Sequence, residues 1–122
     1  MPLEGIDHFT VNVRDLDASV RFYEDVLGLK NGPRPDLGFP GAWIYCGDRP
    51  ILHLVGGRAP PEGAKNGAFD HIALSARDRE AVCRQLAEHG IPFDARLGRG
   101  GRWQVFLRDI DGIKIELNFA SD

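Results

Sequence analysis

Apolar and polar positions alternate over residues 6–13, with Phe9, Val11 and Val13 on one side and His8, Thr10 and Asn12 on the other. A period of two predicts a strand with one apolar face towards a helix and one polar face towards a cavity. From Asp15 to Leu27 the period lengthens, because Leu16, Val20, Tyr23 and Leu27 recur three or four apart. That spacing predicts an amphipathic helix with an acidic first turn, ended by Gly28 where a left-handed residue costs least. Leu29-Lys30 opens a short strand before the Pro- and Gly-rich segment from Gly32 to Pro40. Residues 43–46 and 51–55 then predict a hairpin around Gly47-Asp48-Arg49-Pro50. The order of this unit is β-α-β-β-β.

Residues 56–67 hold Pro60-Pro61 and little that could pack, and they read as a linker. Beyond them the order repeats. Strand 71–76 sets His71, Ala73 and Ser75 opposite Ile72 and Leu74, and helix 79–89 carries Val82 and Leu86 and ends at Gly90. Pro92-Phe93 opens a short strand, residues 96–102 read as a loop, and residues 103–107 and 113–117 form a closing hairpin about Asp111-Gly112. An offset of 63 aligns His8 with His71, Arg14 with Arg77, Asp15 with Asp78, Asp48 with Asp111 and His53 with Glu116. Identities and polarity pattern that hold together across a half-chain indicate a duplicated unit, too short a series for a solenoid. The expected organisation is one α+β domain of two βαβββ modules, residues 1–55 and 68–122, whose curled mixed sheets surround a metal-binding cleft.

Parity carries this towards chemistry. His8, His53, His71 and Glu116 each interrupt a face whose neighbours alternate with apolar residues, so each is expected to project away from the helix. One His or Glu on a strand is ordinarily solvent-facing or hydrogen-bonded. Four at symmetry-related positions point to a metal. Three imidazoles and a carboxylate suit Zn, Fe, Co, Ni or Mn, and two His with one Glu is also the facial set of non-haem iron oxygenases. His53 reads either as a fourth ligand or as a general base beside the metal.

Other candidates have plainer readings. His89 sits in the last helical turn, where an imidazolium complements the helix dipole. The run Arg96-Leu97-Gly98-Arg99-Gly100-Gly101-Arg102 reads as a solvated hairpin loop, with capture of a carboxylate or phosphate as the alternative. Trp43, Tyr45, Trp103 and Phe106 read as core, with a cleft wall as the alternative. Cys46 and Cys83 read as small buried hydrophobes.

Composition narrows the function classes. The chain of 122 residues is the size of one ordinary domain, and its 43% apolar and 27% charged residues are those of a globular protein. A net charge of −3 gives no electrostatic case for nucleic acid. No apolar run approaches a membrane span, the N-terminus lacks the regions of a signal peptide, and the cytoplasm is the expected compartment. There is no phosphate loop, dinucleotide fingerprint or nucleophile elbow.

The openings Ile6-Asp7-His8 and Phe69-Asp70-His71, the stretch Phe22-Tyr23-Glu24-Asp25-Val26-Leu27-Gly28, and Phe106 to Gly112 followed by Ile115-Glu116-Leu117 resemble the vicinal oxygen chelate superfamily. That group contains lactoylglutathione lyase, extradiol dioxygenases, methylmalonyl-CoA epimerase and bleomycin-resistance proteins. The resemblance covers nearly the whole chain and implies paired βαβββ modules enclosing a divalent metal that chelates two neighbouring substrate oxygens. It places His8, His71 and Glu116 on usual ligand positions. His53 stands where glyoxalase-like members have a glutamate and the epimerase a glutamine, and Ile110 replaces a proline in the Asp-Pro-Asp-Gly turn.

The expectation is a divalent-metal-dependent enzyme acting on a small oxygen-rich substrate, either a ring-cleaving dioxygenase or an isomerase or lyase. His53 or Tyr45 would transfer the proton, and the chain would form a homodimer, as short members of the group do. The rival from another class is a non-catalytic small-molecule binding protein of the bleomycin-resistance type.

Overall fold

The computed structural model describes residues 6–57, 71–98 and 101–119. Most of the expected linker, the Phe69-Asp70 opening and Arg99-Gly100 lie outside the described residues. The alternating segment near the N-terminus forms strand β1 (Phe9–Asn12), with Val11 and Val13 buried. Asp15 caps the following helix α1 (Leu16–Arg21), its carboxylate accepting from the Ala18 amide at 3.0 Å. Such a cap satisfies an amide that the first helical turn leaves without a partner. The expected 15–27 helix is not uniform, because α1 widens into a π-helical turn over Phe22–Val26 before Gly28 ends it at φ +71°. That turn buries Phe22, Tyr23 and Val26.

Strands β2 (Lys30–Gly32), β3 (Gly41–Cys46) and β4 (Arg49–Val55) complete the unit, giving a sheet ordered β1-β4-β3-β2. β1 runs parallel to β4, and the other pairs are antiparallel. The hairpin turn is shorter than its composition suggests. β4 begins at Arg49, and the register shifts between Ile44 and Cys46. Pro50 stands at that irregularity, where its missing N–H breaks no regular ladder. Helix α1 packs on β3 and β4, the strands that contribute buried Ala42, Ile44, Leu52 and Leu54.

The second unit repeats this plan with β5 (Ile72–Ala76), α2 (Arg79–Glu88), β6 (Asp94–Leu97), β7 (Trp103–Arg108) and β8 (Lys114–Phe119). Its sheet is ordered β5-β8-β7-β6, with β5 parallel to β8. By compactness the chain divides into Met1–Glu62 and Gly63–Asp122. The sheet registers carry the 63-residue offset: Phe9 faces Leu52 as Ile72 faces Ile115, and Trp43 faces His53 as Phe106 faces Glu116. Asp78 repeats the cap of Asp15, accepting from the Ala81 amide at 3.2 Å.

β6 departs from expectation. Pro92-Phe93 precede the strand, and Arg96 and Leu97 lie within it opposite Gln104 and Trp103, so part of the expected loop is ladder. The Gly98 amide extends the pairing to the Arg102 carbonyl at 2.7 Å.

In β8 the burial alternates strictly, with Ile115, Leu117 and Phe119 buried and Lys114, Glu116 and Asn118 half-exposed. None of the four strand aromatics expected in the core joins it; Trp103 is half-buried on the face of Val105 and Leu107, with the Arg79 guanidinium over its ring. Trp43, Tyr45 and Phe106 are half-buried on the face that carries His53 in one unit and Glu116 in the other, because period two puts them opposite Ala42, Ile44, Val105 and Leu107. Cys46 is exposed at the strand end rather than buried, and Cys83 is half-buried.

Candidate functional site

The polar face of the first unit is organised by a stack of rings. Parallel pairing sets Thr10 beside His53, antiparallel pairing sets Trp43 on its other side, and His8 immediately precedes β1. The rings of His8 and His53 stack at 3.8 Å between centroids with planes 10° apart. Trp43 stacks on His53 at 4.3 Å and the same 10°. His53 is therefore the middle ring of three. Burial holds its imidazole below the ordinary histidine range and the neighbouring His8 adds to this, while a hydrogen bond to the Pro50 backbone opposes it. Pro50 has no N–H, so the interaction is His53 donating to its carbonyl, which leaves the other ring nitrogen as the acceptor.

His8 is fixed by a different device. Its Nδ1 lies 2.6 Å from Asp7 Oδ2, and that hydrogen bond holds the Asp7 carboxyl below its usual range. A carboxylate on one imidazole nitrogen sets the tautomer and presents the other nitrogen, Nε2, with its lone pair outward. Stacked imidazoles keep their in-plane lone pairs in two nearly parallel planes. An ion about 2.1 Å from a nitrogen of each ring would thus sit far out of both ring planes. One nitrogen of this pair can meet an ion head-on in the stacked arrangement, and Nε2 of His8 is the one with a carboxylate behind it.

On the polar face of the second unit, His71 Nε2 and Glu116 Oε1 are 3.6 Å apart. Two donors bound to one ion at about 2.1 Å each are at most about 4.2 Å apart, so this pair fits as adjacent ligands. The other oxygen, Oε2, accepts from Asn118 Nδ2 at 2.8 Å, and Asn118 Oδ1 accepts from Gln104 Nε2 at 3.0 Å. Gln104 and Asn118 face each other in the β7–β8 register. A relay of two amides thereby fixes one oxygen of Glu116 and turns the other towards His71. Among the described residues no three His, Cys, Asp or Glu side chains cluster closely enough to hold an ion.

Tyr45 lies on the same face as Trp43, and its hydroxyl donates to the Pro33 carbonyl at 2.7 Å. Its ring lies so close to Gly32 that a Cβ there would meet it at 2.7 Å. His89 caps the end of α2, with its Nε2 3.0 Å from Gln85 Nε2.

Sequence reasoning passed over Asp7, Trp43 as a stacking partner, and the Gln104–Asn118 relay. The repeat itself held the signal for the relay. At the offset of 63, Gly41 and Val55 occupy the positions of Gln104 and Asn118, so the two units differ in chemistry at one matched pair of the ladder.

A family model for the Glyoxalase/Bleomycin resistance protein/Dioxygenase superfamily matches residues 5–117. Glyoxylase I 4 of Arabidopsis thaliana is 33% identical over 123 residues, covering 94% of this chain and 70% of that protein. The lactoylglutathione lyase of Salmonella typhimurium is 29% identical over 124 residues, covering 94% and 92%. Among solved structures, a putative glyoxalase family protein from Bacillus anthracis superposes with a TM-score of 0.80 at 20% identity, covering 98% and 97% of the two chains. Among the described residues no helix is long and apolar enough to cross a membrane.

Proposed function

The chain belongs to the glyoxalase/bleomycin resistance protein/dioxygenase superfamily, and from that premise we propose that it is a divalent-metal-dependent lyase or isomerase. Its substrate would be a small molecule with two neighbouring oxygens. The observation that carries this reading is the His71–Glu116 pair, spaced for one ion and held by amides on its far side. Two relatives named for glyoxalase chemistry favour the lyase and isomerase branch over ring cleavage.

The proposed reactive set is His8 and His53 of one unit and His71 and Glu116 of the other, with His8, His71 and Glu116 as the metal ligands. Within it Nε2 of His8 is assigned as a ligand, because Asp7 holds the opposite nitrogen. His53 is assigned to proton transfer. It is stacked against His8 rather than splayed from it, and burial keeps it neutral and able to accept a proton. Tyr45 keeps its hydroxyl proton on the Pro33 carbonyl, which leaves His53 the better placed of the two. Glu116, with one oxygen committed to Asn118, offers the other as a single donor atom. When bound, the metal would supply Lewis acidity to the adjacent substrate oxygens. The chain is further proposed to work as a homodimer, measurable by sedimentation equilibrium.

The test begins with elemental analysis of protein purified without chelators, where one divalent ion per chain is expected. His71→Ala and Glu116→Gln should each lose most of that metal. His53→Ala should keep it while turnover of the hemithioacetal of methylglyoxal and glutathione falls by about 10²–10⁴-fold. Wild-type protein without stoichiometric metal would support a sequestering protein instead. Ring-cleavage products from catechols after anaerobic Fe(II) loading would move the assignment to the dioxygenase branch.

A further inference from the structure

Where β5 and β8 end and β7 begins, the second unit contains a groove of about 610 Å³ lined by Ser75, Gly98, Arg102, Gln104 and Asn118 among others. That volume is in the range of small-molecule sites. Its polar wall is one row of the sheet: Ser75 pairs with Asn118, and Asn118 with Gln104. The neighbouring row is Ala73, Glu116 and Phe106, so the groove is the lateral extension of the face that carries Glu116.

The donors in this row are only partly consumed. Each primary amide has two N–H groups. Gln104 gives one to Asn118, and Asn118 gives one to Glu116. Among the described residues one N–H on each remains, together with the Ser75 hydroxyl. Gly98 lets the Gln104 amide lie close against the backbone, since a Cβ at that position would meet Gln104 Oε1 at 3.1 Å.

Charge in the groove has one sign. Arg102 lines it, and no acidic side chain lines it among the described residues. Arg96, beside Gln104 in the next strand, is already engaged: its Nε donates to Asp94 at 2.6 Å and its guanidinium lies over the Phe106 ring. Arg102 makes no ion pair among the described residues; its backbone carbonyl, not its side chain, accepts from Gly98. The corresponding row of the first unit is Asn12, Val55 and Gly41, with Phe39 at the place of Arg102. The first unit has a cation at this row too, Arg34 beside Gly41, but it is engaged, donating to the Phe39 carbonyl at 3.1 Å and lying over the Phe39 ring. Among the described residues the amide pair belongs to the second unit alone.

We propose that this groove is an anion subsite that seats a carboxylate of the substrate, with Arg102 as its charge partner and the spare N–H groups of Gln104 and Asn118 and the Ser75 hydroxyl as neutral donors. A planar, singly charged carboxylate matches one guanidinium fork with neutral donors beside it, whereas a phosphate dianion calls for a second cation. The substrate class is thereby narrowed from an oxygen-rich molecule to an acidic one, whose carboxylate lies one sheet row from the atoms that react. This rests on the reading of Glu116 as part of the reactive face.

The test is an NMR titration of the metal-free full-length chain with succinate, following the Arg102 Nε–Hε signal and the side-chain amides of Gln104 and Asn118. Succinamide, the neutral isostere, and inorganic phosphate serve as the other probes. Succinate is expected to move all three signals, to bind at least tenfold more weakly to Arg102→Gln, and to recover part of that loss in Arg102→Lys. Equal shifts with succinamide, or undiminished binding to Arg102→Gln, overturn the assignment, and tighter binding of phosphate overturns its carboxylate class. Metal content is measured separately on the same preparations. A silent groove in a metal-replete protein refutes the subsite alone, and succinate binding in a chain that takes no metal refutes the enzymatic reading alone.

Discussion

Replacing Asp109 by alanine should destabilise the second unit more than any exposed change in the same turn. Asp109 is 7% exposed, and its Oδ1 accepts from the backbone amides of Asp111 at 2.9 Å and Ile113 at 2.8 Å. Two backbone bonds frame the same loop, Asp109 N to Ile113 O at 3.0 Å and Gly112 N to Asp109 O at 3.1 Å, and both survive the substitution. What is lost is one charged acceptor that satisfies two amides. A hydrogen bond to a charged group contributes about 1.5–3 kcal/mol, and some water reaches a loop, so the lower end applies twice, about 3 kcal/mol in all. At a urea dependence of about 1–3 kcal/mol per molar, the unfolding midpoint should fall by roughly 1–3 M. Asp109→Asn, which keeps one acceptor oxygen, should cost about 1 kcal/mol. Ile110→Ala, at a side chain 50% exposed, should stay within about 0.5 kcal/mol of wild type. The turn also sets the register of β8, and a slip of one residue would carry Glu116 to the core side. Metal content of Asp109→Ala should therefore drop along with stability. Urea unfolding followed by circular dichroism measures the first effect, and an Asp109→Ala midpoint equal to that of Ile110→Ala would refute the reasoning.

Two further outcomes follow from burial. In metal-free protein the His53 imidazole should titrate below the ordinary 6.5, and Trp43→Ala, by opening one side of the stack, should raise its midpoint; two-dimensional NMR of the ring protons measures both. A lowered folded pKa disfavours the protonated ring, so the contribution of His53 to stability is fully present above the unfolded pKa and is lost as pH falls from there through the folded pKa. Leu86, fully buried on α2, should cost about 2–5 kcal/mol when cut to alanine, read by thermal or urea unfolding, and a loss below about 1 kcal/mol would show that the site collapses around the gap.

Much of the fold was legible because period two and period 3.6 are imposed by geometry whatever the neighbours are. The face carried by His53, Glu116 and Asn118 followed from parity alone, and so did the buried set Ile115, Leu117 and Phe119. Three things were not legible, each for a physical reason. The widening of the first helix at Phe22 leaves no periodic trace, since five residues are too few to tell a π turn from an α turn. The extent of β6 depends on its partner, because Arg96 and Leu97 pair with Gln104 and Trp103 and have no strand pattern of their own. The aromatics Trp43, Tyr45 and Phe106 were read by residue type, and parity, which put them on the polar face, was the better guide. At the site, residue types and shared faces were legible. The ring stack and the amide relay were not, since side-chain contacts between strands depend on register, and register appears only once the strands are paired.

Duplication separates what folding requires from what chemistry requires. Positions that match at the offset of 63 include the helix caps Asp15 and Asp78 and the ladder pairs that bring Leu52 beside Phe9 and Ile115 beside Ile72. Those positions serve backbone satisfaction and burial, and a change in one copy costs stability whichever unit it strikes. Buried strand positions that differ exchange one apolar residue for another, whereas changes of chemistry in the strands occur on the polar faces. One unit has Trp43 packed on His53, and the other has Phe106 beside Glu116, with Gln104 and Asn118 behind the carboxylate. A stacked neutral imidazole is suited to carry a proton, and a carboxylate with one oxygen tied down is suited to offer a single donor atom. Were the two faces interchangeable parts of a scaffold, Gly41 and Val55 could take the amide pair without consequence, and Gln104 and Asn118 could lose it. The direct contrast is Asn118→Val, which copies the residue of the first unit into the second. Its half-buried side chain faces away from the core, so the unfolding midpoint should hardly move, while Glu116 loses the bond that fixes Oε2 and metal affinity falls by roughly 10–100-fold, as is usual when a ligand's supporting hydrogen bond is removed. Unchanged affinity in that variant would mean that the relay only fills space, and that divergence between the units at this row has no part in holding an ion.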